Sequence, residues 1–490
     1  MIFSNDGLEI NYLTPSEVKA WQAYSEIPEP TQRNAPIIQR LEETGLWIPS
    51  QIAGRRWPMG CVSLEITQRC NLDCTLCYLS EHSEAVRDIP LAEIFRRIDL
   101  IEAHYGKNTD IQVSGGDPTL RNRDELIQIV KRITEQGMRA ALFTNGILAT
   151  RELLEDLCQV GLVDVAFHVD MTQQRKGFHS EIALNGIREK YIDRVRGLPI
   201  AVYFNTTVYE GNFHEIPGLV QFFRKHTDVV RLISFQLQAN TGRGVLKDRA
   251  VQINPETTIE KIQAGANKAL RFDGVTVGHP SCNRYAIAFS INGNLYDVYD
   301  DPAFIATVLE ATKDTVLSRT DRLHAVKTAG MALLNTPQLW GGAARWFLRI
   351  LWAAKFDLWA ARGKIWKLSF YIHNFMDACH LEHDRVKTCV FMVATQDGPL
   401  SMCLHNAKRD DYILRPLPIE DANGEALWQP LGERGAVSET DEIQRIDQKT
   451  YPIKHLKGRL REQMKQERNE NRLSGLQQAL KADKDIVLED

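Results

Sequence analysis

Cys70, Cys74 and Cys77, in the run Cys-Asn-Leu-Asp-Cys-Thr-Leu-Cys-Tyr that ends at Tyr78, are the residues of this chain best equipped for chemistry. A C-x3-C-x2-C loop is short enough to wrap three thiolates around one face of a cubane [4Fe–4S] cluster. Such clusters usually take four cysteines, so three leave one iron open. An open iron can bind a small molecule, which a cluster that only carries electrons has no need to do. A zinc knuckle lacking its fourth ligand, or three structural cysteines, is the plainer alternative. It makes no use of the motifs downstream.

The loop needs a scaffold, and the flanking sequence supplies one. Val62 to Thr67 alternates apolar and polar residues and reads as a strand running into the cysteines. Helices are then expected over Leu91–His104, Asp124–Gln136, Arg151–Gln159, Ile182–Arg196, His214–Lys225 and Pro255–Leu270. Strands are expected between them over Asp110–Val113, Arg139–Phe143, Val163–Val169, Ile200–Val208 and Val230–Leu237. Six strands alternating with helices predict a parallel sheet with right-handed crossovers. Six units do not close an eight-stranded barrel, so the expected fold is a partial (β/α)6 barrel of the TIM type. Ligands gather at the C-terminal strand ends of such folds, and the motifs singled out here all fall at such ends.

The chain has 490 residues, enough for two or three domains. Its 43% hydrophobic and 25% charged content suits a globular protein. A net charge of −4 gives no electrostatic reason to expect nucleic acid. The first residues lack a signal peptide's basic region and apolar run, and no apolar run approaches a membrane span. Nine cysteines without signs of export suggest metal or reactive thiols in a reducing cytoplasm. Residues 1–58 read as a small N-terminal cap, with a short helix over Ala35–Leu46. Residues 59–275 are the core, 276–425 a mostly helical or irregular C-terminal domain, and 426–490 a charged tail with a helix over His455–Lys484.

The cysteine loop with its adjacent aromatic, followed one strand later by Gly115-Gly116-Asp117-Pro118, resembles the radical SAM superfamily. The resemblance implies a three-cysteine [4Fe–4S] cluster whose open iron is chelated by S-adenosylmethionine (SAM). It also implies a reductant such as flavodoxin or ferredoxin, and cleavage of SAM to a radical that takes hydrogen from unactivated C–H bonds. Gly-Gly-Asp-Pro is similar to the family's GGEP motif, with Asp for Glu. Its glycines permit close backbone approach, and either the Asp117 carboxylate or exposed carbonyls can accept from the SAM ammonium. A plain strand-to-helix turn would use the same residues. Asn145 stands where family members often place polar groups near SAM; a turn Asn before Gly is the alternative. His168 and Asp170 share one strand face and could reach SAM or a substrate, or be satisfied core residues. Asn205 and Thr207 share a face on the next strand, and Gln236 and Gln238 do so on the last. Arg243, beyond a Gly turn, could hold a substrate carboxylate or phosphate, or lie on the surface.

Five of nine tryptophans fall between Trp340 and Trp366, interleaved with Lys and Arg, and Asp357 is the only acid there. On a helix Leu348, Trp352, Phe356 and Trp359 form one stripe; Phe347, Leu351 and Leu358 form a second. That composition fits a helix lying among lipid headgroups; the alternative is a hairpin buried against the open side of the barrel. Cys282, Cys379, Cys389 and Cys403 could hold a second, fully ligated [4Fe–4S] cluster. Phe375-Met376-Asp377-Ala378, Asp384 to Cys389, Asp397-Gly398 and Cys403-Leu404-His405-Asn406 resemble the C-terminal half of tetraether lipid synthase and its bacterial relatives. That resemblance implies an auxiliary cluster and a lipid acyl substrate.

The reading is therefore a radical SAM enzyme of the cytoplasm, or of its membrane surface, that attacks an unactivated C–H of a hydrophobic substrate. A peptide-modifying radical SAM enzyme and a non-catalytic iron–sulfur redox protein are the alternatives.

Overall fold

The computed structural model describes residues 2–3, 10–11, 61–80, 83–241, 243, 249–275, 277–312, 315, 322–421 and 424–432. The helix expected at Ala35–Leu46, most of the N-terminal cap and the tail helix lie outside them. Ile2–Phe3 and Ile10–Asn11 form a short antiparallel ribbon.

The six expected strands are β1 (Cys61–Thr67), β2 (Asp110–Gly115), β3 (Arg139–Thr144), β4 (Leu162–His168), β5 (Ala201–Val208) and β6 (Val230–Leu237). The helices between and after them are α1 (Leu91–Tyr105), α2 (Arg123–Glu135), α3 (Arg151–Gln159), α4 (Asn185–Val195), α5 (Ile216–Arg224) and α6 (Pro255–Ala266). Local chemistry sets their ends. Asn122 caps α2 by accepting from the backbone N–H groups of Asp124 and Glu125. Asn254 and Thr257 form a reciprocal capping box on α6, with Pro255 at the first helical position. Asn267 then takes the left-handed conformation, so α6 stops short of the expected Leu270.

The remaining elements are β7 (Asn283–Ile291), β8 (Asn294–Asp297), α7 (Pro302–Ala311), α8 (Arg322–Leu334), α9 (Trp340–Ala360), β9 (Trp366–Asn374), α10 (His383–Lys387), β10 (Phe391–Thr395), β11 (Gly398–Ser401), α11 (Met402–Ala407), α12 (Arg409–Ile413), β12 (Leu417–Asp421) and β13 (Gly424–Trp428). The large sheet has the order β8-β7-β9-β6-β5-β4-β3-β2-β1-β10-β11. From β9 to β10 every neighbouring pair is parallel. Two parallel strands from the C-terminal region thus flank the six of the core: Phe370 pairs Ile233 on one side, and Phe391 pairs Cys61 on the other. The sheet does not stop at residue 275, and the C-terminal region contributes strands as well as helices. Its two flanking parallel strands meet by side chains, with the Phe391 ring 4.8 Å from His373 and 5.8 Å from Tyr371.

Strand alternation sorts the side chains. Val62, Leu64 and Ile66 of β1 share one buried cluster with Ile94 and Ile98 of α1 and with Leu126, Ile129 and Ile133 of α2. The same cluster holds Phe167, Phe204 and Phe223, tilted against one another with ring centroids 5.7 and 5.0 Å apart. Each such ring adds roughly 1.5–3 kcal/mol by leaving water. Ser63 and Glu65 take the opposite, inner face, where Ser63 hydrogen-bonds Ser114 of β2.

Candidate active site

The cysteine loop leaves the C-terminal end of β1 and is fastened to the ends of β2, β3 and β4. Gly116 N–H donates to the Thr67 carbonyl at 2.9 Å, and Asp117 N–H donates to the Arg69 carbonyl at 2.8 Å. A Cβ at Gly115 would collide with the carbonyl of Thr67, and one at Gly116 with that of Arg69. Gly115 also sits at φ 120°, outside the range of ordinary side chains. The Tyr78 hydroxyl donates to the Gly115 carbonyl at 2.8 Å. Thr75 N–H donates to the Thr172 carbonyl at 2.9 Å. Asn145 Nδ2 donates to Asn71 Oδ1 at 2.6 Å and lies 4.0 Å from Cys70 Sγ. Cys70, Cys74 and Cys77 are half-buried, and none is in a disulfide.

Asp117 is fully buried and committed to the protein itself. It caps the turn Pro118–Leu120 by accepting from Thr119 N–H, and it also accepts from the Thr144 hydroxyl and from Asn145 N–H. Its carboxylate ties β2 to β3, so the part of Gly-Gly-Asp-Pro available to a ligand is its backbone. Asp170 behaves alike. It accepts from Thr172 N–H at 2.9 Å, from Thr207 N–H at 2.7 Å and bonds His168 Nε2 at 2.6 Å. Burial would raise its pKa, but His168 and the Thr172 and Thr207 donors hold it far below the carboxylate range. Asp170 therefore fastens β4, β5 and the turn that grips Thr75. His168, whose side chain is 32% exposed, is the member of the pair that a ligand can reach.

The inner face gathers several expected residues in one belt. His168 is in register with Asn205, Thr207 with Gln236, and Gln236 with His373 of β9. Gln238 is buried just past β6, its N–H on the Val208 carbonyl. Arg243 stands apart. It donates to the Thr241 and Asn406 carbonyls, and Asp410 lies 3.7 Å away. These contacts make Arg243 a fastening to the C-terminal helices rather than a free anion holder.

Three residues of the region carry no sequence motif. Glu65 on β1 pairs with Arg409 of α12, both buried. Arg409 also lies 4.6 Å over the Tyr78 ring. Burial would lift the Glu65 pKa, yet Arg409, His405 and Gln68 bring it down to about 2. His373 stacks on Tyr371 and Phe375, its Nδ1 has no hydrogen-bond partner among the described residues, and burial lowers its pKa to about 3. Only the inward phase of Glu65 on its strand hinted at this set.

Of the four cysteines expected to hold a second cluster, three come together. Cys282 accepts from Arg385 Nε at 3.2 Å, and Cys389 donates to the Phe391 carbonyl at 3.1 Å. Burial pushes the Cys403 thiol up to about 12, with Cys389 and Cys282 adding to the rise. Cys379 is exposed. Among the described residues no group of three His, Cys, Asp or Glu side chains closes on a single metal ion. A cubane makes no such demand, because it spreads its thiolates over separate irons.

The sequence family described as the Radical SAM superfamily matches residues 64–223, from β1 to α5. Residues 64–223 thus carry a radical SAM domain. Such a domain implies a [4Fe–4S] cluster and SAM, and radical SAM enzymes need an external reductant. The structure suits that cluster: three unbridged thiols on one fastened loop, an amide facing Cys70, and a glycine turn that side chains would block.

Relatives include 7,8-dihydro-6-hydroxymethylpterin dimethyltransferase of Methanocaldococcus jannaschii, 28% identical over 187 residues, 37% of this chain and 37% of that protein. PqqA peptide cyclase of Bradyrhizobium diazoefficiens is 27% identical over 33% of this chain and 42% of its own. GTP 3′,8-cyclase of Chlorobaculum tepidum is 31% identical over 36% of this chain and 53% of its own. The match thus spans between 37% and 53% of these relatives' length. Among solved structures, Streptococcus suis SuiB bound to precursor peptide SuiA aligns over 51% of each chain with 15% identity and a TM-score of 0.33. Among the described residues no helix is long and apolar enough to cross a membrane.

Proposed function

We propose that this chain is a radical SAM enzyme that opens an unactivated C–H bond of a hydrophobic substrate, a lipid acyl chain. The observation that carries the radical SAM chemistry is the cysteine loop, held to three neighbouring strand ends by Tyr78, Thr75 and Asn145. Cys70, Cys74 and Cys77 would hold the cluster, and the Gly115–Pro118 backbone with Asn145 would line the SAM site. The chemistry supplied when both are bound is reductive cleavage of SAM to a 5′-deoxyadenosyl radical. The chain's own part is positioning and the exclusion of water. His168, Asn205 and Gln236 would orient the groups bound beside them. Taking hydrogen from a methylene needs no acid or base, which agrees with the internal commitment of Asp117 and Asp170.

A second cluster on Cys282, Cys389 and Cys403 is supported by their proximity; the exposure of Cys379 leaves the fourth ligand to another group. The lipid substrate is supported by the resemblance of the C-terminal motifs to tetraether lipid synthase and by the aromatic and basic character of α9. It implies that the enzyme meets its substrate at a membrane surface, as a peripheral protein. Peptide modification is the second reading, favoured by the likeness to PqqA peptide cyclase.

The test has two parts. The reconstituted enzyme, given SAM and a strong reductant, should release 5′-deoxyadenosine; none from a fully loaded cluster sinks the enzyme reading. Lipid and peptide extracts from cells carrying the intact protein or its Cys70→Ala, Cys74→Ala, Cys77→Ala form should then differ in acyl-chain mass. Unchanged lipids beside a shifted peptide would replace the lipid reading with the peptide one.

A further inference from the structure

Among the described residues, helix α9 meets the sheet by one side. Trp346 Nε1 donates to the Val298 carbonyl at 3.1 Å, and Arg349 bonds Asp300 at 2.7 Å. Ala354 is buried, and Asp357 accepts from Asn292, Asn294 and Tyr296 at 3.1, 2.8 and 2.5 Å. These positions follow the helical period along one face, and they dock α9 on the β7–β8 hairpin. The opposite face carries Leu348, Trp352, Phe356 and Trp359, exposed by 60%, 72%, 78% and 86%. Helix α8, joined to α9 by the turn Pro337–Leu339, adds exposed Leu323, Val326, Met331 and Leu334. So many large apolar side chains exposed on two successive helices are uncommon on a protein that meets only water.

Charge decides what covers it. Arg345 and Lys355 of α9, and Lys364 just after it, are exposed. Asp357, the sole acid between Trp340 and Lys367, is turned to the β7–β8 hairpin, so this stretch offers the outside only positive charge. Lys355 lies with its ammonium 3.5 Å from the Trp352 ring centroid and 5.1 Å from that of Phe356. A cation folded over aromatic rings at the edge of an apolar stripe is the arrangement of a helix at a lipid headgroup boundary. A second copy of the same face would bring its positive charges against those of the first.

We infer that the outer face of α8 and α9 docks on an anionic lipid bilayer, with Trp352, Phe356 and Trp359 entering the headgroup–acyl boundary and Lys355 and Lys364 meeting lipid phosphates. The inference rests on the peripheral placement proposed above and gives it a face. Vesicle binding needs neither cluster, SAM nor turnover, so its failure is distinguishable from failure of the radical SAM or lipid-substrate readings.

The experiment is co-sedimentation of the full chain with extruded vesicles of phosphatidylcholine, with and without phosphatidylglycerol. The expected result is binding that requires phosphatidylglycerol and weakens at high salt. It should fall at least tenfold in the combined Trp352→Ser, Phe356→Ser, Trp359→Ser variant, and likewise in Lys355→Glu, Lys364→Glu. Circular dichroism and sedimentation velocity on each variant check folding and association state. Protein that stays in the supernatant with anionic vesicles overturns the inference. So does equal binding to neutral vesicles, or a wild-type dimer that the triple substitution turns into a monomer.

Discussion

Tyr78 under Arg409 and Trp352 under Lys355 are the same kind of contact in opposite surroundings. In the first, the guanidinium is buried, paired with Glu65, and stands over a ring whose hydroxyl is bonded to the Gly115 carbonyl. In the second, both partners face outward, and the cation lies over a ring that is itself in water. Inside, removing one member strands a charge or an orphaned donor in a medium that cannot solvate it. Outside, water replaces whatever is lost. The cysteine loop is thus built on contacts that fix one geometry, and the α8–α9 face on contacts that leave the surface free to meet something else.

That contrast can be tested from its strongest side. Replacing Cys70, Cys74 and Cys77 with Ala should lower 5′-deoxyadenosine release to background, as read by chromatography of the quenched reaction, with the thermal midpoint of the apoprotein nearly unchanged. Arg409→Met should cost about 3–5 kcal/mol in denaturant unfolding because it leaves Glu65 buried and unpaired. Arg409→Met with Glu65→Gln should recover part of that loss.

Acid separates the same variants. In the unfolded chain Glu65 takes its proton near its ordinary 4.5, and in the folded chain only near 2. The unfolded state therefore binds more protons between these values. The contribution of the pair is complete above about pH 4.5 and is lost as pH falls towards 2, on the order of 3 kcal/mol in all. Stability measured against pH should show this in the wild type. In Arg409→Met this acid-dependent loss should shrink, since burial is then opposed only by His405 and Gln68.

Asp117→Ala, which removes the acceptor for Thr144 and Asn145, should cost roughly 1–3 kcal/mol and loosen the ends of β2 and β3. Hydrogen exchange at Asn145 N–H would read it directly. At the other extreme, Trp359→Ser should change unfolding stability by no more than about 0.5 kcal/mol, because the ring is already in water. A large loss there would mean that α9 is held by its outer face and would erase the contrast.

Much of the core was legible in the sequence for local reasons. Alternation, caps and turn residues are neighbours in the chain, so β1 to β6 and α1 to α6 could be read to within a few residues. The flanking strands could not, because nothing local in Trp366–Asn374 or Phe391–Thr395 names a partner as distant as Val230–Leu237 or Cys61–Thr67. The cysteine loop and the glycine turn were visible as motifs. The internal use of Asp117 and Asp170 was not, since it depends on which donors neighbouring strands bring to a carboxylate. Glu65 read as one polar position in an alternating strand; its pairing with Arg409 is a fact of tertiary structure. For α9 the composition was plain and its direction was not. The Asn292, Asn294 and Tyr296 contacts to Asp357 turn Leu348, Trp352, Phe356 and Trp359 outward, against the alternative of a hairpin buried on the barrel.

The pairing of Phe391 with Cys61 has a consequence for how the protein is made. β1 leaves the ribosome more than three hundred residues before its outer neighbour β10. At ordinary elongation rates β1 waits roughly tens of seconds with one row of amides and carbonyls unclaimed and apolar side chains beside them. Such an edge invites pairing with another chain. Co-translational aggregation, and dependence on a chaperone that shields residues 61–67, should therefore limit the yield of this protein more than the stability of its finished fold does.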